Sequence, residues 1–373
     1  MHTNTPHLFD NIYRNKKVLI TGNTGFKGSW LSIWLLHLGA KVFGISNGIP
    51  TQPSHFAAAK LKDKITYFEK DIRSLHDVKK ILDDVKPDFV FHLAAQPLVR
   101  LSYEDPSLTI ETNVIGTMNI LEALRQINST CSAVMITSDK CYDNKDWVWG
   151  YRETDALGGS DPYSASKGAA ELVIKTYANS YFDKPESKVK VASVRAGNVI
   201  GGGDWAQDRI VADCVRAWSQ RTKVQVRNLN ATRPWQHVLE PLSGYLLLGQ
   251  KLYENPELNG EPFNFGPNGD QNYKVSELIA EMQKIWEGTG VENVQNSNAE
   301  KKEHALLKLC CDKALHVLGW RANLGFKETV QFTIEWYRKY YEQKEDILNV
   351  TCRQIEEYVK IARSRGQIWV KND

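Results

Sequence analysis

Tyr163 and Lys167 are the two side chains best suited to chemistry in this sequence, within Asp-Pro-Tyr-Ser-Ala-Ser-Lys. Residues four positions apart lie on the same face of an α-helix, so the ammonium group can approach the phenol. Because a nearby positive charge favours the phenolate, we expect Lys167 to lower the pKa of Tyr163. Such a tyrosine can remove the proton of a hydroxyl group while a hydride leaves the same carbon. The spacing also occurs by chance on exposed helices, so a second signal is needed.

A glycine-rich turn near the start of the chain provides that signal. The apolar run Val18 to Ile20 precedes an amphipathic stretch, which predicts a strand and then a helix. Between them lie three glycines, Gly22, Gly25 and Gly28. Side chains there would block the tight turn and the approach of a pyrophosphate to the backbone N–H groups of the helix start. The spacing differs from the commonest dinucleotide fingerprint, and a purely structural turn is the alternative.

The elements that must position these groups alternate through the first half of the chain. Strands are predicted at 18–20, 41–45, 65–68, 89–93, 133–136 and 189–194, with helices between them, for example at 77–85, 115–126 and 165–182. This alternation predicts a Rossmann-type α/β fold, in which a doubly wound parallel sheet has helices on both faces. Ligands bind at the carboxyl ends of such strands, so functional residues are expected just after each apolar run.

The second half of the chain is less regular from about residue 201, and glycine and proline are more frequent there. Helices are predicted at 209–220, 241–253, 275–287, 326–341 and 346–363, with a short strand at 223–226. We therefore expect a cofactor-binding domain at 1–200 and a smaller α/β substrate-binding domain at 201–373, with an interleaved boundary. The cleft between them is the expected site.

Composition excludes several classes of protein. The 373 residues are 42% hydrophobic and 24% charged, and a net charge of +3 is too small to indicate binding to nucleic acid or to an anionic membrane. No apolar run approaches the ~18 residues of a membrane span, and the polar first residues do not resemble a signal peptide. The six cysteines lack metal-ligand spacing, so no metal site is expected. We expect a cytoplasmic protein.

Four stretches resemble the extended short-chain dehydrogenase/reductase family. They are residues 21–28 at the glycine turn, residues 93–96 (Leu-Ala-Ala-Gln) after the fourth strand, the Tyr163–Lys167 pair, and residues 195–201 (Arg-Ala-Gly-Asn-Val-Ile-Gly). The resemblance implies a bound nicotinamide dinucleotide. Its implied contacts are Gly22, Thr24, Gly25, Phe26, Gly28, Asp71, Ile72, Leu93, Ala94, Ala95, Thr112, Tyr163 and Lys167.

Residues 137–140, Thr-Ser-Asp-Lys, resemble the 4,6-dehydratases within that family. These enzymes place an acid after the serine because they lose water from C6 of a sugar, and the resemblance implies this role for Asp139. Most of them follow it with a glutamate that removes the C5 proton, whereas this chain has Lys140. Ser-Asp-Lys-Cys-Tyr resembles the CDP-glucose 4,6-dehydratases, as do residues 25–31, 95–103 and 147–153. A surface ion pair between Asp139 and Lys140 is the alternative.

The resemblance also implies the rest of the site. The implied catalytic residues are Ser138, Asp139, Lys140, Tyr163 and Lys167, and the implied substrate contacts are Gln96, Ser138, Asn198, Arg209 and Arg233. The planar donors of arginine suit a nucleotide diphosphate, although a solvated surface arginine is the alternative at both positions.

The choice between NAD and NADP is not decided by the residues expected at the adenosine ribose. Residues 45–48, Ile-Ser-Asn-Gly, contain neither the acid that NAD enzymes place there nor an arginine for the 2′-phosphate of NADP. NAD is expected because the resembled group uses it. Asp71 is expected to meet the adenine, and a helix-capping aspartate is the alternative.

The resemblance implies the conversion of CDP-D-glucose to CDP-4-dehydro-6-deoxy-D-glucose and water, in the biosynthesis of deoxysugars for surface polysaccharides. A 4,6-dehydratase for another nucleotide hexose, a sugar-nucleotide epimerase and a non-catalytic NAD(H)-binding regulator are the alternatives. No nucleic-acid or membrane partner is expected. A homodimer or homotetramer is implied, with helices around 108–126 and 163–182 between subunits.

Overall fold

The computed structural model describes residues 7–226, 228–286, 290–293 and 306–371. The strands in this part of the chain are β1 (His7–Leu8), β2 (Lys17–Thr21), β3 (Lys41–Ser46), β4 (Thr66–Glu69), β5 (Phe89–His92), β6 (Cys131–Ile136), β7 (Val189–Arg195), β8 (Val199–Ile200), β9 (Val224–Val226), β10 (Thr232–Arg233), β11 (Gln236–His237), β12 (Pro262–Asn264), β13 (Tyr273–Lys274), β14 (Val291–Asn293) and β15 (Val370–Lys371).

The helices are α1 (Phe26–His37), α2 (His55–Ala58), α3 (Leu75–Val85), α4 (Val99–Glu104), α5 (Pro106–Ile110), α6 (Gly116–Leu124), α7 (Pro162–Tyr177), α8 (Ile210–Ser219), α9 (Leu239–Glu254), α10 (Val275–Ile285), α11 (Phe326–Arg338) and α12 (Ile347–Ser364). Short 3₁₀ turns lie at Phe9–Asn11, Leu61–Asp63, Asp139–Cys141 and Pro256–Leu258, and π-helical turns at Glu111–Ile115, Ala178–Phe182, Ala314–Leu318 and Lys339–Gln343.

Seven strands form one parallel sheet in the order β12-β7-β6-β5-β2-β3-β4. The chain runs outward in both directions from the neighbouring strands β2 and β5, so the crevice at the carboxyl ends of these strands is where a ligand is expected. The predicted doubly wound α/β fold is confirmed. The strand β12, which pairs with β7, was not predicted, because three residues are too few to show a pattern.

Both faces of the sheet are covered, as the sequence pattern of β2 illustrates. Val18 and Ile20 belong to an apolar cluster that includes residues of α1, α9, α11 and α12. Leu19, whose side chain points to the opposite face, packs in a second cluster with residues of α3, α6 and α7. Burial on both faces explains why the strand is continuously apolar.

The two halves of the chain contribute to each other's structure. Helix α9 contacts β6 and β7, helix α12 contacts α1, and β15 pairs antiparallel with β1. The strand β12 also comes from beyond residue 200. A division at 1–200 and 201–373 therefore stays a proposal with an interleaved boundary. In the described part of the chain, no helix combines the length and the apolar character needed to cross a membrane.

Candidate active site

The glycine turn between β2 and α1 brings the backbone into close contact with the loop after β5. Gly22 has φ +75°, and a Cβ atom on it would lie 2.8 Å from the amide nitrogen of Ala94. A Cβ atom on Gly28 would lie 2.1 Å from the carbonyl oxygen of Gly22. The N-cap of α1 is Gly25, which has no side chain to cap the first N–H groups of the helix. These groups can therefore hold a phosphate, and the turn fits a dinucleotide pyrophosphate.

Other predicted cofactor residues lie at the same edge of the sheet. The Thr24 hydroxyl donates to the carbonyl oxygen of Gly48 at 2.8 Å and ties the turn to the loop after β3. The Phe26 ring lies next to Gly201. Leu93, Ala94 and Ala95 follow β5 directly, and the Ala94 amide donates to Oγ1 of Thr21 at 3.2 Å.

Asp71 lies at the edge of the sheet where the adenine is expected, and its carboxylate accepts several hydrogen bonds. Its carboxylate accepts hydrogen bonds from the Asn47 amide at 2.9 Å and from the Arg73 backbone amide and guanidinium at 2.8 Å. The cap of α3 is Ser74, so the alternative of a helix-capping aspartate is wrong. Arg73 also pairs with Glu111 at 3.2 Å, so two carboxylates neutralise this arginine, which does not suit the 2′-phosphate of NADP.

Two further predicted cofactor residues lie beside Asp71 in the fold. Ile72 is buried against Gly116, the first residue of α6, and Thr112 lies half-buried in the π-helical turn that precedes α6. Their contacts to a cofactor stay predictions.

The end of β6 places an acid in a buried position. Ser138 caps the 3₁₀ turn Asp139–Cys141, and its hydroxyl donates to Oδ1 of Asp139 at 2.9 Å. Asp139 is only 5% exposed, and a Cβ atom on Gly197 would lie 1.8 Å from its Oδ2 atom. The carboxyl therefore packs on the backbone of the loop after β7. No Asp139–Lys140 ion pair forms among the described residues, so the alternative of a surface pair is wrong.

Tyr163 and Lys167 lie on one helix, α7, as predicted, although this helix begins at Pro162 and not at residue 165, and both side chains are buried. The N-cap Asp161 accepts a hydrogen bond from the Ser164 amide, and Pro162 occupies the first helical position, so the helix start is well defined. The predicted lowering of the Tyr163 pKa is wrong in this structure. Burial raises the pKa of the phenol to about 12, although a hydrogen bond to Ser138 opposes this rise. Burial lowers the pKa of Lys167 to about 8.

A buried ion pair that was not predicted from the sequence connects the catalytic segments. Arg195 donates to Glu171 at 2.8 Å, and each side chain is only 3% exposed. Glu171 also accepts hydrogen bonds from the hydroxyls of Thr137 and Ser193, and Arg195 donates to the Tyr142 hydroxyl at 2.7 Å. Although burial opposes ionisation, Arg195 and these hydrogen bonds hold the pKa of Glu171 below its usual value. The only sequence signal was a glutamate four positions after Lys167.

Asn113 and Gln96 form a second internal connection. The Asn113 side chain accepts from the Gln96 amide nitrogen at 2.8 Å and donates to the hydroxyl of Ser166 at 2.9 Å, which ties the loop after β5 to α7. The side-chain amide of Gln96 bonds to Leu98 and to the hydroxyl of Thr109. Its oxygen and nitrogen are thus used within the loop, and the predicted substrate contact of Gln96 has no support in this conformation. Asn113 was missed because a single helical asparagine gives no pattern.

The remaining predicted substrate residues lie on the C-terminal side of the cleft. Asn198 has φ +52° and lines a small cavity with Asp139 and Gly197. Arg209 occupies the N-cap position of α8, and its guanidinium pairs with the carboxylate of Asp204 at 3.4 Å. Arg233 lies in β10 and donates to the carbonyl oxygen of Thr232 at 2.8 Å. Asn198 and Arg209 are therefore close to the catalytic segments or their charges.

Besides Lys167, two more lysines lie in the catalytic segments or the glycine turn, namely Lys140 and Lys27. The side chain of Lys140 is half-buried, and its backbone amide donates to the Ser138 hydroxyl at 3.2 Å. Lys27 was not predicted as a site residue, although it lies inside the glycine turn. Its charge interacts with Arg209 and Asp139, and burial lowers the pKa of Lys27 to about 8.

Comparison with known proteins shows the protein family to which this chain belongs. The family model of GDP-mannose 4,6 dehydratase matches residues 19–333. The chain belongs to the GDP-mannose 4,6 dehydratase family. Within it, the chain is 45% identical to the CDP-glucose 4,6-dehydratase of Salmonella typhimurium, over 94% of this chain and 98% of that relative. It is 26% identical to the CDP-paratose 2-epimerase of Salmonella typhi, over 86% and 98% of the two chains.

Solved structures have the same fold at lower identity. An epimerase of Methanothermobacter thermautotrophicus superposes with a TM-score of 0.76 and 22% identity, over 90% of this chain and 96% of that chain. A UDP-glucuronic acid 4-epimerase of Bacillus cereus, in complex with UDP-glucuronic acid and NAD, gives a TM-score of 0.74 and 22% identity, over 87% and 100%. The predicted resemblance to nucleotide-sugar 4,6-dehydratases is confirmed by the family match.

Proposed function

We propose that this chain is a hydro-lyase that converts CDP-D-glucose to CDP-4-dehydro-6-deoxy-D-glucose and water, in the biosynthesis of deoxysugars for surface polysaccharides. The observation that carries the proposal is the buried Asp139 carboxyl, which Ser138 links to the Tyr163 phenol. An acid at this place serves the loss of a hydroxyl group, which an epimerisation does not require. The 45% identity to a CDP-glucose 4,6-dehydratase supports the same substrate.

NAD is the cofactor of the proposed reaction. The glycine turn and the uncapped first turn of α1 would hold its pyrophosphate, and Asp71 and Ile72 would lie at its adenine. When bound, NAD would accept a hydride from C4 of the sugar and return it to C6, so that no net redox change results. Thr112, Tyr163 and Lys167 would contact the remainder of the cofactor.

Tyr163 would remove the proton of the C4 hydroxyl. Because burial raises the pKa of the phenol to about 12 in the free protein, the phenol would first release its own proton to solvent and would then accept the C4 hydroxyl proton as the phenolate. The Lys167 ammonium, whose pKa burial lowers to about 8, is still cationic at neutral pH and would stabilise the phenolate as it forms. Ser138, whose side chain hydrogen-bonds the phenol, would orient it.

The elimination across C5 and C6 would use the neighbouring residues of the same turn. Once C4 is a ketone, the C5 hydrogen is acidic, and Lys140, or a group that it orients, would remove it. Asp139 would donate a proton to the departing C6 hydroxyl, which leaves as water, and a proton would return to C5 after the hydride reaches C6. Asn198, Arg209 and Arg233 would bind the sugar and the nucleotide diphosphate, for which the arginines are suited.

We also infer a homodimer, or a homotetramer built from it, in the cytoplasm. Helices around 108–126 and 163–182 expose the apolar side chains Ile110, Ile115, Leu172 and Tyr181, which a partner subunit would cover. The six cysteines are all free, which suits a reducing compartment.

A substrate panel tests the proposal. The purified protein would be incubated with NAD and, separately, with the glucose esters of CDP, UDP and dTDP and with GDP-mannose, and products would be followed by proton NMR. We expect a new C6 methyl signal with CDP-glucose. A methyl signal with another nucleotide hexose alone would contradict the substrate assignment. An epimer without a methyl signal would contradict dehydration and favour the epimerase alternative.

A further inference from the structure

Lys27 is a lysine of the reaction centre to which the proposed mechanism gives no role. It lies in the first turn of α1, and its side chain is partly buried. The charges that act on it most strongly are those of Arg209, Asp139, Lys167 and Asp204. Lys27 is therefore near enough to the catalytic groups for their charges to act on it, and the backbone of the same turn forms the expected place of the cofactor pyrophosphate.

Packing fixes the loop that contains Asp204 and Arg209 against the start of α1. The indole N–H of Trp30 donates to the carbonyl oxygen of Gly202 at 2.8 Å. A Cβ atom on Gly201 would lie 3.1 Å from the Phe26 ring. The start of the loop that leads to Arg209 is consequently held against the first turn of α1, and the charge of Arg209 acts on Lys27.

The charges around Lys27 are not balanced by the protein. Asp204 pairs with Arg209 at 3.4 Å, and Asp139 accepts the hydrogen bond of Ser138. Within the part of the chain that the structure describes, no carboxylate forms an ion pair with Lys27. A lysine in the first turn of a helix also faces the positive end of the helix dipole. Three cations (Lys27, Arg209 and Lys167) thus face two carboxylates (Asp139 and Asp204), and this excess of positive charge favours the binding of an anion.

We propose that Lys27, together with Arg209, binds the diphosphate of the nucleotide-sugar substrate, with Lys27 at the phosphate next to the sugar. The inference rests on the proposed function in requiring a nucleotide-sugar substrate, and it adds a residue to the binding site of that substrate. The phosphate next to the sugar is chosen because Lys27 also lies near Asp139, which would act on C6 of the same sugar.

Binding of CDP and CMP tests this role without turnover. The NAD-loaded protein would be titrated with each nucleotide by calorimetry, since only CDP has the second phosphate. We expect Lys27→Met to weaken CDP binding roughly 10- to 100-fold, as for the loss of a hydrogen bond between charged groups, and to leave CMP binding nearly unchanged. Lys27→Arg should retain the CDP affinity. Lys41→Met, which changes an exposed lysine of β3, is the matched control.

The pH dependence provides a second readout. Burial lowers the pKa of Lys27 to about 8 in the free protein, so the ammonium is present below this pH and is lost above it. CDP binding by the wild type should therefore weaken as the pH rises beyond about 8. Lys27→Arg should show a smaller loss, because arginine stays protonated and only the neighbouring Lys167, whose pKa burial also lowers to about 8, still titrates.

Several outcomes would overturn the inference. One is unchanged CDP binding by a folded Lys27→Met variant, and another is a loss of NAD affinity with the preference for CDP over CMP intact, which would make Lys27 a cofactor residue. If the substrate panel identifies another base, the diphosphate and monophosphate of that base replace CDP and CMP. If Lys27→Met then loses the preference for the diphosphate over the monophosphate, the role of Lys27 in diphosphate binding is supported, although the CDP-glucose assignment has failed.

Discussion

Asp139 is the residue on which the choice between dehydration and epimerisation depends. It is buried against Gly197 and hydrogen-bonded by Ser138, so its carboxyl has a fixed position. In Asp139→Asn, the amide keeps the shape but cannot protonate the C6 hydroxyl. We expect oxidation at C4 to proceed and the absorbance of the reduced cofactor to accumulate on the enzyme, while product formation stops. Full turnover by this variant would reject the assignment.

Tyr163→Phe is the control for that experiment, because Tyr163 acts before Asp139. It should give no accumulation of reduced cofactor, with a loss of roughly 100-fold or more in the first step. If both variants accumulate the reduced cofactor equally, the order of the two roles is wrong.

Lys140 occupies the place at which most related dehydratases have a glutamate base. A lysine accepts a proton only when neutral, and its ordinary pKa is about 10.4. If Lys140 is the base, Lys140→Glu should keep measurable exchange of the C5 hydrogen with solvent deuterium, and Lys140→Met should lose it. Exchange would be followed by mass spectrometry of the substrate and product. Wild-type exchange in the methionine variant would assign the proton transfer to another group.

At the level of elements, the ion pair between Glu171 and Arg195 holds α7, β6 and β7 in one arrangement. Glu171→Gln leaves the buried guanidinium without a counter-charge, so we expect a loss of about 3–5 kcal/mol in the free energy of unfolding, measured in denaturant. Replacing both residues, as Glu171→Leu with Arg195→Met, removes both charges and should restore much of that stability.

The double variant separates positioning from folding. Because Thr137 and Tyr142 each lose one hydrogen-bond partner, we expect kcat to stay at least tenfold below the wild type, with a smaller change in KM. Recovery of stability and kcat together would show that the pair is structural only.

The elements also show what the sequence can and cannot predict. The glycine turn, the six longer strands and the Tyr163–Lys167 pair follow local patterns, so they were predictable. The partners Glu171 and Arg195 are 24 positions apart, and only the folded sheet brings them together. The Tyr163 pKa was predicted in the wrong direction because spacing reveals the neighbouring charge and not the burial of the phenol. The substrate contact of Gln96 stays a prediction, and the motif did not show that its side chain bonds within its own loop.

At the scale of the whole molecule, Glu240 links α9 to the C-terminal helices and makes stability depend on pH. It accepts hydrogen bonds from the amides of Asn323 and Leu324 and from the Tyr358 hydroxyl, yet burial raises the pKa of Glu240 to about 7. The folded protein thus holds this proton more tightly than the unfolded chain, and the resulting stability is lost as the pH rises from about 4.5 to about 7.

The difference between wild type and Glu240→Gln isolates this contribution. Relative to the variant, the wild type should be more stable at about pH 5 than at about pH 8, by an amount on the order of 3 kcal/mol. Unfolding free energies of both proteins at the two pH values measure it. The comparison cancels the opposite effect of the buried histidines His55, His92 and His237, whose pKa burial lowers to about 3. If the difference in unfolding free energy between the wild type and Glu240→Gln is the same at both pH values, Glu240 does not titrate in this range.

The assembly of subunits depends on the outer face of the helix that carries the catalytic pair. Leu172 is 57% exposed on α7, while Tyr163 and Lys167 on the same helix are buried. If two subunits pack through this face, Leu172→Glu places a charge in an apolar interface, where it finds no partner. We expect sedimentation velocity to show a shift from dimer or tetramer toward monomer. Leu315→Glu, at a similarly exposed leucine in the turn Ala314–Leu318, should leave the assembly unchanged. An intact oligomer in Leu172→Glu, or dissociation by Leu315→Glu alone, would place the subunit interface on another face of the protein.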